Sequence, residues 1–280
     1  MQTITTDNSD VDEVGHLDKS FLTSLKELID SSKDYNIICC QLYNFSQNEN
    51  RVNIMYAEKD LLMVIFSTLI AHTTAMDPRG VLHLCLSIKA VAHVKRMQTF
   101  LVSHHNVRDF LICQPKLLFI SYEIRRTCCE TLIFLTYNDT NQKIFADLPN
   151  FTTDICTSIL NETCNLRPQL IAILGNLTRG MNSFRVWAVS DNALPRKLVD
   201  LLVCFALAPE DHSGQVVPFT SPYAHCSLEV SEFITLLQIN ALSFMSQLAY
   251  IASGAQYLCT SKPELISHLL ALTDPGTIST

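Results

Sequence analysis

The sequence predicts an all-α fold, a right-handed α-solenoid of about five helical repeats. The main observation is an apolar pattern that returns five times. In each copy an apolar residue ends a predicted helix, a second follows nine positions later, and a third follows after about sixteen. The helix-ending residues are Phe45, Val91, Leu135, Leu177 and Leu248. A spacing near 42 residues is typical of helical arrays, whose units bury their apolar faces against one another.

The composition also favours helices. Of the 280 residues, 48% are apolar and 17% are charged, which is enough apolar material for a large core. Seven glycines and ten prolines are few for an all-β protein with many tight turns. The second and third positions of the apolar pattern are Ile54 with Leu61, Phe100 with Val107, Ile144 with Phe151, Val186 with Ala193, and Tyr257 with Leu265.

The predicted organisation is one helical-repeat domain at residues 20–275. Residues 1–19 are polar and acidic without apolar periodicity and are predicted to form a disordered acidic tail. Residues 276–280 form a second, short tail. Residues 207–231 contain three prolines and a glycine among polar residues, which predicts an exposed loop insertion and accounts for the long last interval of the pattern.

The individual helices follow from apolar spacing and from polar or proline breaks. A capping helix with Ser20 as its N-cap is predicted over residues 21–29. Breaks are predicted near Arg96, at 138–141 and at 178–182. The remaining predicted helices lie at 37–45, 52–55, 59–72, 81–94, 107–111, 122–135, 154–160, 169–177, 198–206, 232–251 and 263–272.

Two segments resemble armadillo repeats, which end a third helix in Asn-Leu-Ser and continue through a short linker into two shorter helices. They are LYNFSQNENRVNIMYAEKDLLMVIFSTLI (42–70) and LGNLTRGMNSFRVWAVSDNALPRKLVDLL (174–202), and the resemblance extends over about residues 35–275. In armadillo proteins that bind extended peptides, the motif asparagine faces a concave groove and holds the peptide backbone. The matching positions here are Asn44, Ala90, Phe134, Asn176 and Gln247. The resemblance therefore implies partner binding by Asn44 and Asn176.

Importin-type armadillo proteins also carry tryptophans four residues before those asparagines. This sequence has none there, which argues against a receptor for nuclear-localisation signals. A fainter resemblance concerns residues 168–275, a repeat followed by a proline-containing insertion and a further repeat. That layout is similar to the C-terminal armadillo domain of Osa-type subunits of SWI/SNF chromatin remodellers, and it implies an alternative role as a subunit of such a complex.

A locally basic segment at residues 83–126 is the second indication of a binding surface. It holds seven basic residues against two acidic ones, in a chain whose net charge is −7. Lys89, Arg125 and Arg126 fall on the predicted third helices of adjacent copies. These residues are predicted to bind an acidic or phosphorylated peptide, since arginine grips carboxylate and phosphate groups with two parallel hydrogen bonds. The alternative interpretation is a solvated surface with local ion pairs.

The cysteines and the N-terminus predict an intracellular protein, cytoplasmic or nuclear. Eleven cysteines occur without any CxxC pair, mostly inside apolar helical runs, as expected of reduced core residues. The N-terminus lacks the basic start and apolar stretch of a secretory signal. The longest apolar run, 61–71, is about half the length that a bilayer requires, so no membrane partner is expected.

No pattern of residues indicates catalysis, a metal or a cofactor, and none of the three is expected. His104 and His105 are adjacent, and no further ligand recurs near them at metal-site spacing. An enzyme would need a deep pocket with convergent titratable groups, and a nucleic-acid binder would need a continuous basic stripe. The predicted function is a non-enzymatic scaffold or adaptor that binds a protein or peptide as part of a larger complex.

Overall fold

The computed structural model describes residues 9–32, 34–117, 120–161, 166–207 and 230–273. About 88% of these residues are helical and none of them forms a strand, so the all-α class is confirmed. The predicted insertion at 207–231 lies almost wholly outside the described residues, as does the tail at 276–280.

The chain divides into two compact units, residues 1–135 and 136–280, and helix α8 contains the boundary. The first unit holds α1 (Ser9–Ser32), α2 (Tyr35–Ser46), α3 (Glu49–Ala57), α4 (Lys59–Ala71), α5 (Pro78–His93), α6 (Lys95–Ser103), α7 (His105–Cys113) and most of α8 (Tyr122–Tyr137). The second unit holds α9 (Asp139–Ala146), α10 (Phe151–Asn161), α11 (Arg167–Gly180), α12 (Asn182–Ala188), α13 (Ala193–Leu207), α14 (Val230–Leu248), α15 (Ala252–Ser261) and α16 (Pro263–Thr273).

Several predicted helix boundaries are wrong. Helix α1 begins at Ser9, so the described part of the expected disordered tail is helical. The sequence predicts breaks near Arg96 and at 138–141, but helices α6 and α9 lie there. Only one residue separates each of them from the long helix before it. A short helix has few apolar residues on its buried face and polar residues on its outer face, so the sequence pattern does not reveal it as a helix.

Short-range capping explains where several helices begin. The side chain of Asp34 accepts a hydrogen bond from the backbone amide of Ile37, and that of Asp77 accepts one from Gly80 at 2.7 Å. Asn48 caps α3 in the same manner. Each side-chain oxygen satisfies an amide that the first turn of a helix leaves without a partner.

The five helix-ending apolar residues are all buried, with exposed fractions of 0 to 5%. The rest of the predicted pattern holds less well. Val186 is 55% exposed, and Ala193 is exposed at the start of α13. In the first copy Ile54 and Leu61 are half-buried, while the following residues Met55 and Leu62 are fully buried. The error is one of helical phase, since one residue turns the helix by about 100°.

The same corner follows three of the long helices. One residue in extended conformation separates α5 from α6, α8 from α9 and α11 from α12; these residues are Val94, Asn138 and Met181. Four positions after each of them stands a long polar side chain that turns back to the helix just ended. These side chains belong to Gln98, Gln142 and Arg185.

Each returning side chain donates hydrogen bonds to carbonyls that the end of the long helix leaves without an amide. The Nε2 of Gln98 donates to Ala92 O at 3.0 Å, and the Nε2 of Gln142 donates to Thr136 O at 3.0 Å. The Nε of Arg185 donates to Thr178 O at 2.8 Å. Gln142 and Arg185 are at least nine-tenths buried, so these donors replace water at the corners.

Gln142 also links the end of α8, which belongs to the second unit from Thr136 onward, to α11, because its Nε2 donates to Asn176 O at 3.0 Å as well. Gly180 provides the space. A Cβ atom built on Gly180 would overlap the Oε1 of Gln142.

We expect Gln142→Leu to lower the free energy of unfolding by about 1–3 kcal/mol, because it removes the buried amide group that donates to the carbonyls of Thr136 and Asn176. Urea unfolding followed by circular dichroism measures the change. Gln256→Leu, an exposed glutamine on α15, is the matched control and should stay within about 0.5 kcal/mol of the unchanged protein. Equal effects of the two substitutions would contradict the capping role.

Candidate partner-binding surface

Neighbouring long helices of the first unit present polar and aromatic side chains on one side. Helix α2 packs against α5, and side-chain contacts join α5 to α8. We call this region the α5 surface. It consists of Tyr43 on α2; His83, Leu86, Lys89, Ala90 and His93 on α5; and Arg126, Glu130 and Phe134 on α8.

A carboxylate between two cations forms the charged centre of the α5 surface. The Nζ of Lys89 donates to Glu130 Oε2 at 2.5 Å, and the Nε of Arg126 donates to Glu130 Oε1 at 2.7 Å. Burial acts to raise the pKa of Glu130, but the hydrogen bonds from Lys89 and Arg126 outweigh it and hold this pKa below its usual value. Glu130 is therefore ionised at neutral pH, and the three groups together carry one positive charge.

Two pairs of rings in contact lie beside this centre, one stacked and one tilted. The Tyr43 and His83 rings are parallel, with centroids 5.1 Å apart, and the His93 ring lies 4.1 Å from the Phe134 ring. Burial and, after it, the charge of Lys89 lower the pKa of His93 from 6.5, so this imidazole is neutral at pH 7. These contacts already restrict the side chains of the α5 surface. Binding of a partner therefore costs less side-chain conformational entropy.

An open cleft of about 520 Å³ adjoins Lys89 and His93. Apolar atoms of Leu86 and Ala90 contribute to its wall, together with polar groups. The other lining residues are Tyr43, Ser46, Gln47, Glu49, Val52, Val94 and Lys95. A cleft of this size and mixed lining can receive one or two side chains of an extended peptide.

The structure places the predicted binding residues in different surroundings. Lys89 and Arg126 lie together on the α5 surface, each paired with Glu130. Arg125 is only 3% exposed, and its Nε donates to Pro115 O at 2.9 Å. Its guanidinium therefore holds the turn after α7 and does not face a partner. The prediction for Arg125 is wrong because adjacent helical residues point about 100° apart.

The two motif asparagines also differ. Asn44 is exposed on α2 and lines a separate hollow of about 760 Å³, beside Phe45 and the α1 residue Phe21. Asn176 is half-buried in α11, where its Nδ2 donates to the Thr136 hydroxyl at 3.2 Å. The Asn176 amide thus serves the packing of the second unit. The role of either asparagine toward a partner stays a prediction.

Glu130 was missed by the sequence analysis, although a signal for it exists. It lies 41 residues after Lys89, about one repeat, so the two side chains were candidates for neighbouring positions on adjacent helices. His93 and Phe134 stand in the same relation. Opposite charges one period apart are thus the sequence signal for this ion pair.

The buried thiols carry no sign of nucleophilic chemistry. Burial raises the pKa of Cys39 and of Cys156 to about 12, and it raises the pKa of Cys128, which contacts Cys85. Cys39, Cys128 and Cys156 therefore stay protonated at neutral pH, and these buried thiols act, together with buried Cys85, as small core residues. Among the described residues, no three His, Cys, Asp or Glu side chains converge as a metal site would require.

Comparison with known proteins adds no family to this geometry. The sequence matches no model of a protein family, and a search of curated proteins finds no significant match. Within the described part of the chain, no helix combines the length and the apolarity needed to span a bilayer.

We expect Glu130→Gln to lower the free energy of unfolding by about 1 kcal/mol at pH 7, the upper range for partly exposed ion pairs. The pKa of Glu130 is lowered in the folded protein, so its contribution is complete above the unfolded value of 4.5 and disappears as the pH falls through the folded value. Urea unfolding of both proteins between pH 7 and pH 3 should show the difference shrinking over the acid part of this range.

Asp30→Asn is the matched control, since Asp30 forms an exposed ion pair with Lys26 on α1. Its effect at pH 7 should be at most about 0.5 kcal/mol. A difference between Glu130→Gln and the unchanged protein that stays constant across the pH range would contradict the assigned ion pairs.

Proposed function

We propose that the chain is an α-solenoid interaction module that binds a segment of a partner protein on the α5 surface. The observation that carries the proposal is the α5 surface itself, where paired charges, stacked rings and a cleft lie on neighbouring long helices. It is a non-enzymatic scaffold or adaptor in this view.

The repeated spacing of contacts supports the solenoid. In the first unit, hydrogen bonds join Lys89 to Glu130 and Asn53 to Arg96, over separations of 41 and 43 residues. In the second unit, Asn176 bonds to Thr136 over 40 residues. A period near 42 in the contacts matches the period of the apolar pattern, as expected where each repeat packs on the next.

The last interval of the apolar pattern, from Leu177 to Leu248, is longer than the others, and one contact in the second unit has a similar separation. The Nδ2 of Asn240 donates to Pro168 O at 2.9 Å, over a separation of 72 residues. Helix α14 packs against α11 there, although the segment between them includes the predicted insertion. Its central residues 208–229 lie outside the described part, so the alternative of a chromatin-remodeller subunit, which rests on that insertion, stays a prediction.

Charge indicates the kind of partner segment. Lys89 and Arg126 share a single carboxylate, so the centre of the α5 surface keeps one net positive charge. An acidic or phosphorylated side chain placed beside Glu130 would receive hydrogen bonds from both cations. The cleft next to Lys89 would take a neighbouring side chain of the same segment.

A glycine on α11 supports partner binding by the second unit as well. Gly175 lies inside the helix, where glycine is less stable than alanine by about 0.5–1 kcal/mol. No atom of the described chain lies within 4 Å of a Cβ built on it, other than its own helical backbone and neighbours. The packing of the described residues does not require glycine here, whereas a partner backbone that approaches α11 closely would require it.

Ala90→Arg tests the α5 surface without altering its ion pairs, because Ala90 lines the cleft and lies next to Lys89. We expect the arginine to fill the cleft and to weaken binding of the native partner at least tenfold. The partner is first identified by affinity purification from the native cell with mass spectrometry, and binding is then measured with the purified proteins by calorimetry.

Ala71→Arg places the same side chain at an exposed position on α4 and is the matched control. Its partner affinity should not change, and both variants should melt within a few degrees of the unchanged protein. Full affinity of the Ala90→Arg protein would show that the partner docks elsewhere.

A further inference from the structure

A second group of charges in the first unit has a different arrangement from the α5 surface. We call it the Tyr56 cluster; it consists of Asn53 and Tyr56 on α3, Lys59 on α4, and Arg96 and Phe100 on α6. None of these residues belongs to the α5 surface or lines its cleft.

The two cations of the cluster lie against aromatic rings. The guanidinium carbon of Arg96 is 4.3 Å from the centre of the Tyr56 ring. The Nζ of Lys59 is 5.7 Å from the same centre and 5.6 Å from the centre of Phe100. The two positive charges therefore lie within about 10 Å of each other. The rings hold both side chains by cation–π attraction and remove part of their water.

Within the described part of the chain, neither cation forms an ion pair with a carboxylate. Among the side chains that the structure describes, no carboxylate oxygen lies within 4 Å of Lys59 or Arg96, although Glu58 and Asp60 flank Lys59 in the sequence. Arg96 donates one hydrogen bond, from Nη2 to Asn53 Oδ1 at 2.6 Å. Its remaining N–H groups and the three of Lys59 are available to an anion.

Helix stability does not explain the placement of these cations. Lys59 is the first residue of α4 and Arg96 the second of α6. A positive side chain near the N-terminus of a helix opposes the helix dipole, which favours an acidic residue there. The two like charges stand where the helix dipole disfavours them, and an anion bound beside them would offset both that effect and their mutual repulsion.

We propose that the Tyr56 cluster binds the phosphate group of a phosphorylated serine or threonine in a partner protein. A phosphate monoester carries a charge of about −1.5 to −2 at pH 7, which matches two cations, whereas a carboxylate would neutralise only one. Arg96 offers parallel donors to two phosphate oxygens, and Lys59 offers a compact charge to a third. This site does not depend on the proposed function of the α5 surface.

The test uses N-acetyl-phosphoserine amide as the probe and backbone amide shifts of the isotope-labelled full chain as the readout. We expect saturable shifts in residues 53–60 and 95–100. The double variant Lys59→Gln/Arg96→Gln should bind at least tenfold more weakly, while Lys143→Gln/Lys197→Gln, which removes two exposed lysines of the second unit, should bind like the unchanged protein. The thermal midpoint of each variant verifies that it is folded.

Two further measurements, with a carboxylate compound and at different pH values, identify the kind of anion that binds. N-acetyl-glutamate amide should bind at least fivefold more weakly than the phosphoserine compound, and phosphoserine binding should weaken as the pH falls below about 6, where the phosphate takes up a proton. Arg96→Lys should bind with intermediate affinity if the guanidinium fork matters. Equal binding of both compounds, or unchanged binding by the folded double variant, would overturn the proposal.

Discussion

The structure depends on how it satisfies the carbonyl groups at the ends of its long helices. A helix leaves its last carbonyls without amide partners, and a corner of one residue gives the next helix no room to supply them. Polar side chains do so here: Gln98, Gln142 and Arg185 each reach back across the corner to the preceding helix, and the last two are buried. No described residue other than Asn150 has a positive φ, so these corners need no left-handed glycine. The short helix is thereby placed directly against the end of the long one, and successive long helices can pack side by side.

This placement sets the neighbours of the exposed side chains. Contacts between long helices recur over about one period, so residues that are far apart in the sequence share one surface. Lys89 receives Glu130 as its partner in this way, and Arg126 shares the same carboxylate. Although residues 83–126 are strongly basic in the sequence, the charged centre of the α5 surface therefore carries only one excess positive charge. Its recognition of a partner would rest on the arrangement of rings, cleft and paired charges rather than on the number of basic residues.

The first unit thus contains two kinds of cation site, one paired with a carboxylate and one held by aromatic rings. On the α5 surface the carboxylate of Glu130 is held between Lys89 and Arg126, so an incoming anion has to share them. In the Tyr56 cluster, aromatic rings hold Lys59 and Arg96 without removing their charge. Paired cations favour selectivity through geometry, since each side chain already has a fixed position. Cations on aromatic rings keep most of their attraction for an anion and would respond to its full charge.

The sequence by itself determined the helical class, most of the long helices and the five buried helix-ending residues, because these depend on local spacing and on caps such as Asp77 before Pro78. Only the tertiary structure decided which polar residues face outward. Arg125 and Arg126 are neighbours in the sequence, yet one holds Pro115 in the interior and the other lies on the α5 surface. Val186 fits the apolar period and is exposed, while Arg185 beside it is buried with three acceptors. The reason is physical: a polar side chain is buried where unpaired carbonyls from another segment need a donor, and the position of those carbonyls is known only once the helices have packed.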